Sequence, residues 1–288
     1  MAELLLELFS EEIPARMQKR ASEDLKKLVA DGLTAASLEF SSADAYVTPR
    51  RLVLVVDGLP DRQPDVSEEK RGPRIDAPEK AIQGFLRGNN VTLDQCEKRT
   101  TDKGEFWYAV IESKGRATAE VLPGVVGDAV SSMAWQKSMR WGSGAMRWVR
   151  SLQRVLCLFD SAVLDLTVGD GIVAGNVTAG HRFHAGDEFE VTGFADYRDK
   201  LRAAHVIIDA AERRDIIETG AKNLAEAEGL TLAHDPALLG EVCGLVEWPV
   251  PLLGKIDDEF MALPPEVMTT TMRVNQKYFA LEDADGNF

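Results

Sequence analysis

The chain has 288 residues, of which 45% are hydrophobic and 28% charged, a composition typical of a globular rather than a disordered protein. Its 47 acidic and 33 basic residues give a formal net charge of −14. This balance argues against a general nucleic-acid coat protein, because phosphate binding needs local positive charge. A basic patch on an acidic body is still compatible with RNA binding.

The cysteines, the lack of a long apolar stretch and the N-terminus exclude further classes of protein. Cys96, Cys157 and Cys243 lie far apart and show no metal-ligand spacing, so we expect neither a disulfide framework nor a zinc site. No apolar stretch approaches the roughly 18 residues of a membrane span. The N-terminus lacks the basic region of a signal peptide. We therefore expect a cytoplasmic protein that binds no membrane.

The N-terminal region predicts one helix and three strands. Glu3 to Phe9 is a short apolar run typical of a strand, and a helical repeat of apolar residues then extends from Pro14 to about Leu38. Gly32 is a possible break in that helix. Leu52 to Val56 indicates a buried strand, with Ala43 to Thr48 as its hairpin partner. The order predicts a helix packed on one face of a sheet.

The middle of the chain is predicted to be mostly helical. Residues 60–78 are rich in Asp, Arg, Glu and Pro and predict a linker. A short helix is expected from Pro78 to Arg87, and a strand from Phe106 to Ile111. Glu120 to Ala134 has an apolar stripe at helical spacing. Because proline is tolerated only in a first turn, this helix should begin close to Pro123.

The remainder of the chain predicts strands followed by helices. Short apolar runs between glycines, from Trp148 to Phe189 and on to Val191, indicate an antiparallel sheet. The final Asp285-Gly286 is a hairpin signal without its second strand, so we expect a longer natural protein. The other predicted elements are a mostly helical region at Asp196 to Glu228, either continuous or in two pieces, a helix at Leu238 to Val246, an extended segment at Trp248 to Leu253, a helix near Pro265 to Arg273 and a strand at Tyr278 to Leu281.

Together these elements predict an α+β fold, with mixed and antiparallel sheets, packed helices and more than one subdomain. The expected regions are an N-terminal α+β unit at 1–60, a helix-rich middle region at 61–147, and a β-rich and then α+β region at 148–288.

Catalytic signatures are sparse. The sequence contains no phosphate-binding loop and no nucleophile elbow. His181 and His184 lie near Asp187, but a metal site would need further ligands. On a β-rich segment these two histidines should point to opposite faces. His205 and His234 have no partner visible in the sequence. We therefore expect no catalytic residue and no bound metal in this chain.

A basic segment gives the clearest functional signal. Ala134 to Arg154 contains five basic residues, no acidic residue and three of the five tryptophans. Arginines interleaved with aromatic side chains suit RNA, which offers phosphates to pair with and bases to stack. Equally, the tryptophans could be core residues and the arginines could pair with the many acids of the chain. Arg50 and Arg51 form a second basic spot, suited to surface salt bridges or to a phosphate or partner contact.

Several short motifs follow one another in order across nearly the whole chain. They are Leu4 to Ala15, Thr48 to Leu52, Ala81 with Gly84-Phe85, Lys137 to Gly142, Gly180 to Phe183, Leu245 to Pro249, and Gln276 to Phe279. Each is weak by itself, but the ordered set resembles the β subunit of the bacterial two-subunit glycyl-tRNA synthetase. The chain departs from that family at Ser151 and Asn275, where proline and histidine are usual.

The resemblance implies a division of labour between subunits. The family's α subunit activates glycine with ATP and Mg²⁺, while the β subunit pairs with it and recognises glycine tRNA in an α2β2 assembly. Family β subunits are much longer and continue into an HD-like domain and an anticodon-binding region. We therefore expect this chain to bind no cofactor of its own and to lack anticodon reading.

The resemblance also favours contact roles for particular residues. A purely structural scaffold for the α subunit is the alternative function, and hydrolysis of a mischarged tRNA near His181 and His184 is a third. The candidate tRNA or α-subunit contacts are Arg50, Arg51, Lys137, Arg140, Trp141, Arg147, Arg150, His181, Arg182 and Lys277.

Overall fold

The computed structural model describes residues 2–102 and 104–288. Its strands are β1 (Ala2–Ser10), β2 (Ser42–Val47), β3 (Arg51–Leu59), β4 (Val66–Arg74), β5 (Cys96–Thr101), β6 (Gly104–Ser113), β7 (Leu152–Phe159), β8 (Ala162–Val163), β9 (Thr167–Val168), β10 (Ile172–Gly175), β11 (Val177–Ala179), β12 (Glu188–Glu190), β13 (Thr231–Leu232) and β14 (Leu281–Glu282).

Helices alternate with these strands along the chain. They are α1 (Ala15–Ala35), α2 (Glu79–Asn89), α3 (Thr118–Ser132), α4 (Phe194–Ala203), α5 (Ala210–Ala227), α6 (Pro236–Cys243) and α7 (Pro265–Thr271), with a π-helical turn at Met272–Gln276. The α+β class with several antiparallel and mixed sheets is therefore confirmed. None of the helices in the described ranges combines the length and the apolar character that a membrane span requires.

The largest sheet has the strand order β2-β3-β1-β7-β10-β9, with β8 paired to β7. Its pairings are antiparallel except that between β7 and β10. The expectation of a purely antiparallel sheet after Trp148 was therefore wrong for one pair. The chain reverses into β8 and again between β9 and β10, so β10 runs in the direction of β7. The sheet also joins β7 to β1, across the first and third predicted regions.

Alternation along β1 explains how this sheet buries both of its faces. Leu4, Leu6 and Leu8 belong to the core formed with α1 and α3, whereas Leu5 belongs to the core formed with α4. Successive side chains of a strand point to opposite faces. Glu7 shares the face of Leu5 and is fully buried. A buried carboxylate in an apolar strand requires partners.

The predicted break at Gly32 is a helix–helix contact. Helix α1 continues through this residue to Ala35 and packs against α3. A Cβ atom at Gly32 would lie 2.8 Å from Cγ1 of Val125. Glycine therefore lets the two helices approach each other closely.

The predicted linker at residues 60–78 was wrong, because it contains β4. This strand pairs with β6, and β6 pairs with β5, in a separate three-stranded sheet on which α2 packs. The side chains of β4 are mostly exposed, so the sequence shows no apolar run there. Strand β5 was not predicted either, because its side chains are exposed or partly exposed and it too shows no apolar run.

Two further boundaries differ from expectation. Helix α3 begins at Thr118 and places Pro123 in its second turn. The start is anchored because the Thr118 N–H donates to the carbonyl of Asp61 at 2.9 Å, and its hydroxyl donates to the carbonyl of Pro60 at 2.5 Å. The strand expected at Tyr278 to Leu281 is the short β14, which pairs with β13.

Candidate functional site

A fully buried arginine joins four separate segments of the chain. Arg51, the first residue of β3, donates from Nε to Glu7 at 3.2 Å and forms an ion pair with Glu247 through Nη1. Its Nη2 atom donates to the carbonyls of Ala179 and Gly180, the latter at 3.4 Å. Each of these segments carries or directly adjoins one of the sequence motifs. Four of the seven motifs therefore converge in space.

Neutral donors complete the coordination of both buried carboxylates. Thr48 donates its hydroxyl to Glu247 at 2.7 Å. Thr178 donates to Glu7 at 2.6 Å, and the Tyr197 hydroxyl of α4 donates to the same carboxylate. Buried charges are tolerated when they are paired and hydrogen-bonded in this way. We call these residues, together with Arg51, the arginine cluster.

The electrostatics of the arginine cluster favour the charged forms of Arg51 and Glu247. Burial acts to lower the pKa of Arg51, but the carboxylates of Glu247 and Glu7 outweigh it and raise that pKa above its usual value. Burial likewise acts to raise the pKa of Glu247, and Arg51 outweighs it and lowers that pKa. The Arg51 guanidinium is satisfied within the chain and offers no exposed atom to a partner. Arg51 instead holds together the segments that carry the exposed residues of the surface above it.

That surface is a mixed-charge rim. Arg182 binds Glu11 at 2.5 Å and Glu12 at 3.2 Å. Arg50 donates to Gln153 at 3.2 Å and lies 3.9 Å from Glu11. Hydrogen bonding and charge from Arg182 hold the pKa of Glu11 below its usual range. The two predicted contact arginines of the rim are therefore already paired with acids of the same chain.

Three histidine rings lie close together beside this rim, tilted by 33° and 41° relative to one another. The rings of His181 and His184 lie 4.6 Å apart, those of His184 and His205 5.3 Å apart, and His205 meets Trp248 edge-on at 5.0 Å. The prediction that His181 and His184 point to opposite faces was wrong. They occupy a tight turn rather than a strand. His181 Nδ1 accepts the N–H groups of Phe183 and His184 at 3.2 and 3.4 Å.

His181, His184 and His205 are not arranged as a metal site. Within residues 2–102 and 104–288, no group of three His, Cys, Asp or Glu side chains is placed to hold a metal ion. Desolvation lowers the pKa of His181. A neutral imidazole at this position suits its role as hydrogen-bond acceptor within the turn.

The tryptophans of the basic segment are packed on the protein core. Trp148 is buried, and its ring meets Trp135 edge-on at 4.9 Å. Met139 and Trp148 exchange backbone hydrogen bonds of 2.8 and 3.2 Å, which close a loop. Trp141 is partly buried against the same core. Trp148 is therefore a core residue, whereas Trp135 and Trp141 pack against the core and remain partly exposed.

The basic residues of the same loop point outward without acidic partners. Lys137, Arg140 and Arg147 are exposed, and no described acid forms an ion pair with them or with Arg150. The Arg147 Nε atom donates to the Ser138 hydroxyl at 3.1 Å. We call residues 137–150 the basic loop. Its cations remain available to an external anion.

Two remaining basic residues are paired within the chain. Arg154, which ends the basic segment in sequence, forms an ion pair with Glu188. Lys277 lies 3.0 Å from Glu241 of α6 and donates to the carbonyl of Val274 at 2.9 Å. Both therefore have an acidic partner in the chain, unlike the basic residues of the basic loop among the described residues.

Sequence reasoning missed the acidic half of the arginine cluster. Glu7 lies in the middle of an apolar strand, and Glu247 lies in the motif that ends at Pro249. A charged residue within a buried strand is itself a signal, because it must be paired. Their common partner could not be identified from sequence, since 196 positions separate Glu247 from Arg51.

Comparison with known proteins assigns the chain to a family. A family model described as "Glycyl-tRNA synthetase beta subunit" matches residues 4–288. Three relatives named glycine–tRNA ligase beta subunit are similar to this chain. The protein of Rhodospirillum centenum is 51% identical to it over 99% of the chain. Those of Paracoccus denitrificans and a Ruegeria strain are each 53% identical to it, over 97% and 98% of the chain. The chain spans 43%, 41% and 42% of these relatives. It belongs to the glycyl-tRNA synthetase beta subunit family.

Proposed function

We propose that this chain contributes tRNA binding and association with a catalytic α subunit to ATP-dependent glycylation of tRNA. In this proposal it acts in the cytoplasm as part of an α2β2 heterotetramer. The α subunit uses ATP and Mg²⁺, and this chain supplies no catalytic residue and no cofactor site. Family membership supports the assignment to a ligase subunit.

The basic loop is the observation that carries the tRNA-binding part. Among the described residues, no acid forms an ion pair with Lys137, Arg140, Arg147 or Arg150, although the net charge of the protein is −14. Cations that pair with phosphates release counterions and make binding salt-dependent. Since the tryptophans behind the loop are packed in the core, the loop is firmly supported. The supported cations suit a phosphate backbone.

The test is a titration of the chain with glycine tRNA at several salt concentrations. The variant Arg140→Glu with Arg147→Glu should weaken binding and reduce the salt slope by about one to two, because each lost phosphate contact removes roughly one counterion. Lys80→Glu with Arg87→Glu is the matched control. It makes the same change in net charge at two exposed residues that form no ion pair with a described acid. This control should keep the wild-type slope.

The alternative is a scaffold that holds the α subunit without touching tRNA. The arginine cluster favours it, because four motif segments converge on buried structural contacts. If both double variants change the affinity for tRNA and its salt dependence equally, the basic loop has no specific role in tRNA binding. Retained binding of the α subunit would then support the scaffold.

A further inference from the structure

One imidazole nitrogen holds the turn at residues 181–185 together. Nδ1 of His181 accepts the N–H groups of Phe183 and His184 at 3.2 and 3.4 Å, and the His181 carbonyl accepts the N–H of Ala185 at 2.9 Å. An imidazole accepts a hydrogen bond only when it is neutral, so His181 carries its one ring proton on Nε2. Protonation would make Nδ1 a donor and remove both acceptor bonds. The closed form of this turn therefore requires a neutral His181.

The turn packs closely against the residues that follow α4. The His181 N–H donates to the carbonyl of Ala204 at 2.9 Å. A Cβ atom at Gly180 would lie 2.1 Å from the carbonyl oxygen of Ala185 and 2.6 Å from Cβ of Ala204. His205 has a φ of 59°, and its Nδ1 atom is buried with no hydrogen-bond partner among the described residues. The turn therefore cannot move without losing these contacts.

Charged and titratable groups of both signs surround His181. Desolvation is the largest influence on the pKa of His181 and lowers it. Glu247 acts to raise that pKa, whereas His184, Arg51 and His205 act to lower it. The net result favours the neutral ring that the turn needs. The other charged residues of the turn and of the segments beside it are Glu11, Glu12, Arg182, Asp187, Arg202 and Glu212.

We infer that residues 181–185 form a proton-sensitive turn, which is closed while His181 is neutral and opens when its ring binds a proton. The pKa of His181 in the closed turn lies below its ordinary value of 6.5. The closed turn therefore has its full stability above pH 6.5 and loses it as the pH falls through the lower closed-state pKa. One proton linked to opening raises the opening constant by up to about tenfold per pH unit. This behaviour belongs to the chain itself and does not depend on the proposed function.

Opening changes the mixed-charge rim and leaves the arginine cluster in place. Arg182 lies within the turn, and its ion pairs with Glu11 and Glu12 join the turn to the segment before α1. The two carbonyls that bind Arg51 precede the residues that His181 holds. The pKa of Glu247 lies below its ordinary value of 4.5, so the arginine cluster keeps its charges above about pH 5. Opening at pH 5–6.5 should therefore free Arg182 while β11 stays paired.

The test is amide hydrogen exchange of the chain, followed by NMR from about pH 5 to about pH 7.5 and corrected for intrinsic exchange rates. The amides of Phe183 and His184 should lose protection below pH 6.5, by up to about tenfold per pH unit. His181→Asn supplies an amide oxygen in place of Nδ1 and does not titrate, so it should keep the turn closed and remove the pH dependence. His234→Asn is the matched control at an exposed histidine outside the turn, and it should behave as the wild type does.

The ring of His181 gives a second, direct measurement in the wild-type chain. Its nitrogen resonances should show protonation at the pH at which the amides of Phe183 and His184 lose protection. A protonated ring with both amides still protected would overturn the inference, as would protection that stays constant across this pH range. Retention of the wild-type pH dependence by His181→Asn would also overturn it, because another group would then control the turn. If the asparagine variant leaves the turn open at every pH, the wild-type ring titration decides the question.

Discussion

At the scale of single residues, Arg51 shows how a basic motif can be structural. Its guanidinium binds two buried carboxylates and two carbonyls, of which that of Gly180 belongs to a buried residue and that of Ala179 to a partly buried one. Arg50, its neighbour in sequence, keeps a side chain that is 11% exposed and donates to Gln153. Both guanidinium groups lie over the ring of Phe9, at 4.5 and 4.7 Å. Two adjacent arginines thus share an aromatic ring but have different polar partners. The sequence alone does not show whether a charged side chain is buried or exposed.

We expect Glu247→Gln to destabilise the chain by about 3 kcal/mol, because it leaves a buried guanidinium with half of its countercharge. Glu12→Gln is the control, since Glu12 also pairs with an arginine but is exposed. It should cost less than about 1 kcal/mol. Urea unfolding at neutral pH measures both free energies. Equal losses would show that the Glu247 pair contributes no more than a surface pair.

The same variant has a defined pH dependence. The folded-state pKa of Glu247 is lowered from its ordinary value of 4.5, with Arg51 outweighing the opposing effect of burial. Its stabilising contribution is therefore fully present above pH 4.5 and is lost as the pH falls through the lower folded-state pKa. The gap between wild type and Glu247→Gln should narrow below pH 4.5.

At the scale of secondary-structure elements, glycine has opposite roles in two packed helices. Gly32 of α1 faces Val125 of α3, and an added Cβ would lie 2.8 Å from that side chain. Gly124 of α3 has open space, with nothing within 4 Å of an added Cβ. The propensity argument is the same for both, since alanine favours a helix over glycine. Packing decides which glycine is needed.

We expect Gly32→Ala to destabilise the chain by about 1–3 kcal/mol, because overpacking displaces one helix from the other. Gly124→Ala should instead stabilise it by about 0.5–1 kcal/mol. Thermal unfolding compares the two substitutions directly. A gain of stability in both variants would contradict the close packing of α1 on α3.

At the scale of the whole molecule, burial is uneven along the chain. Strands β1, β3 and β7 form the centre of the largest sheet and are almost wholly buried. Residues 250–288 bury no side chain at all. Local opening is easiest where few apolar contacts hold the backbone. The molecule therefore combines a well-packed centre with weakly packed residues at 250–288.

Hydrogen exchange should show this gradient. Amides of β1, β3 and β7 should exchange slowest, at rates near those of global unfolding, and amides of residues 250–278 should exchange fastest in the free chain. Mass spectrometry of peptic fragments measures both groups in one experiment. Uniform protection along the chain would contradict the gradient.

Patterns in the sequence predicted the elements that have a buried face, and the ordered motifs indicated the family. The apolar runs of β1 and β3 and the helical period of α1 and α3 predicted real elements, because burial imposes those periods. The ordered motifs pointed to the family that the comparisons then confirmed. Strands β4 and β5 were missed because their side chains are mostly exposed or partly exposed, so no apolar period marks them.

Which side chains meet depends on how the elements pack in three dimensions. Long-range pairing joined β7 to β1 and brought Glu247 onto Arg51. It also separated basic residues that look alike in sequence, burying Arg51, pairing Arg154 with Glu188 and leaving Arg140 without an acidic partner among the described residues. The physical reason is that a charge pair forms through space. Local sequence sets the period of an element, whereas partners far apart in the chain are chosen by how those elements pack.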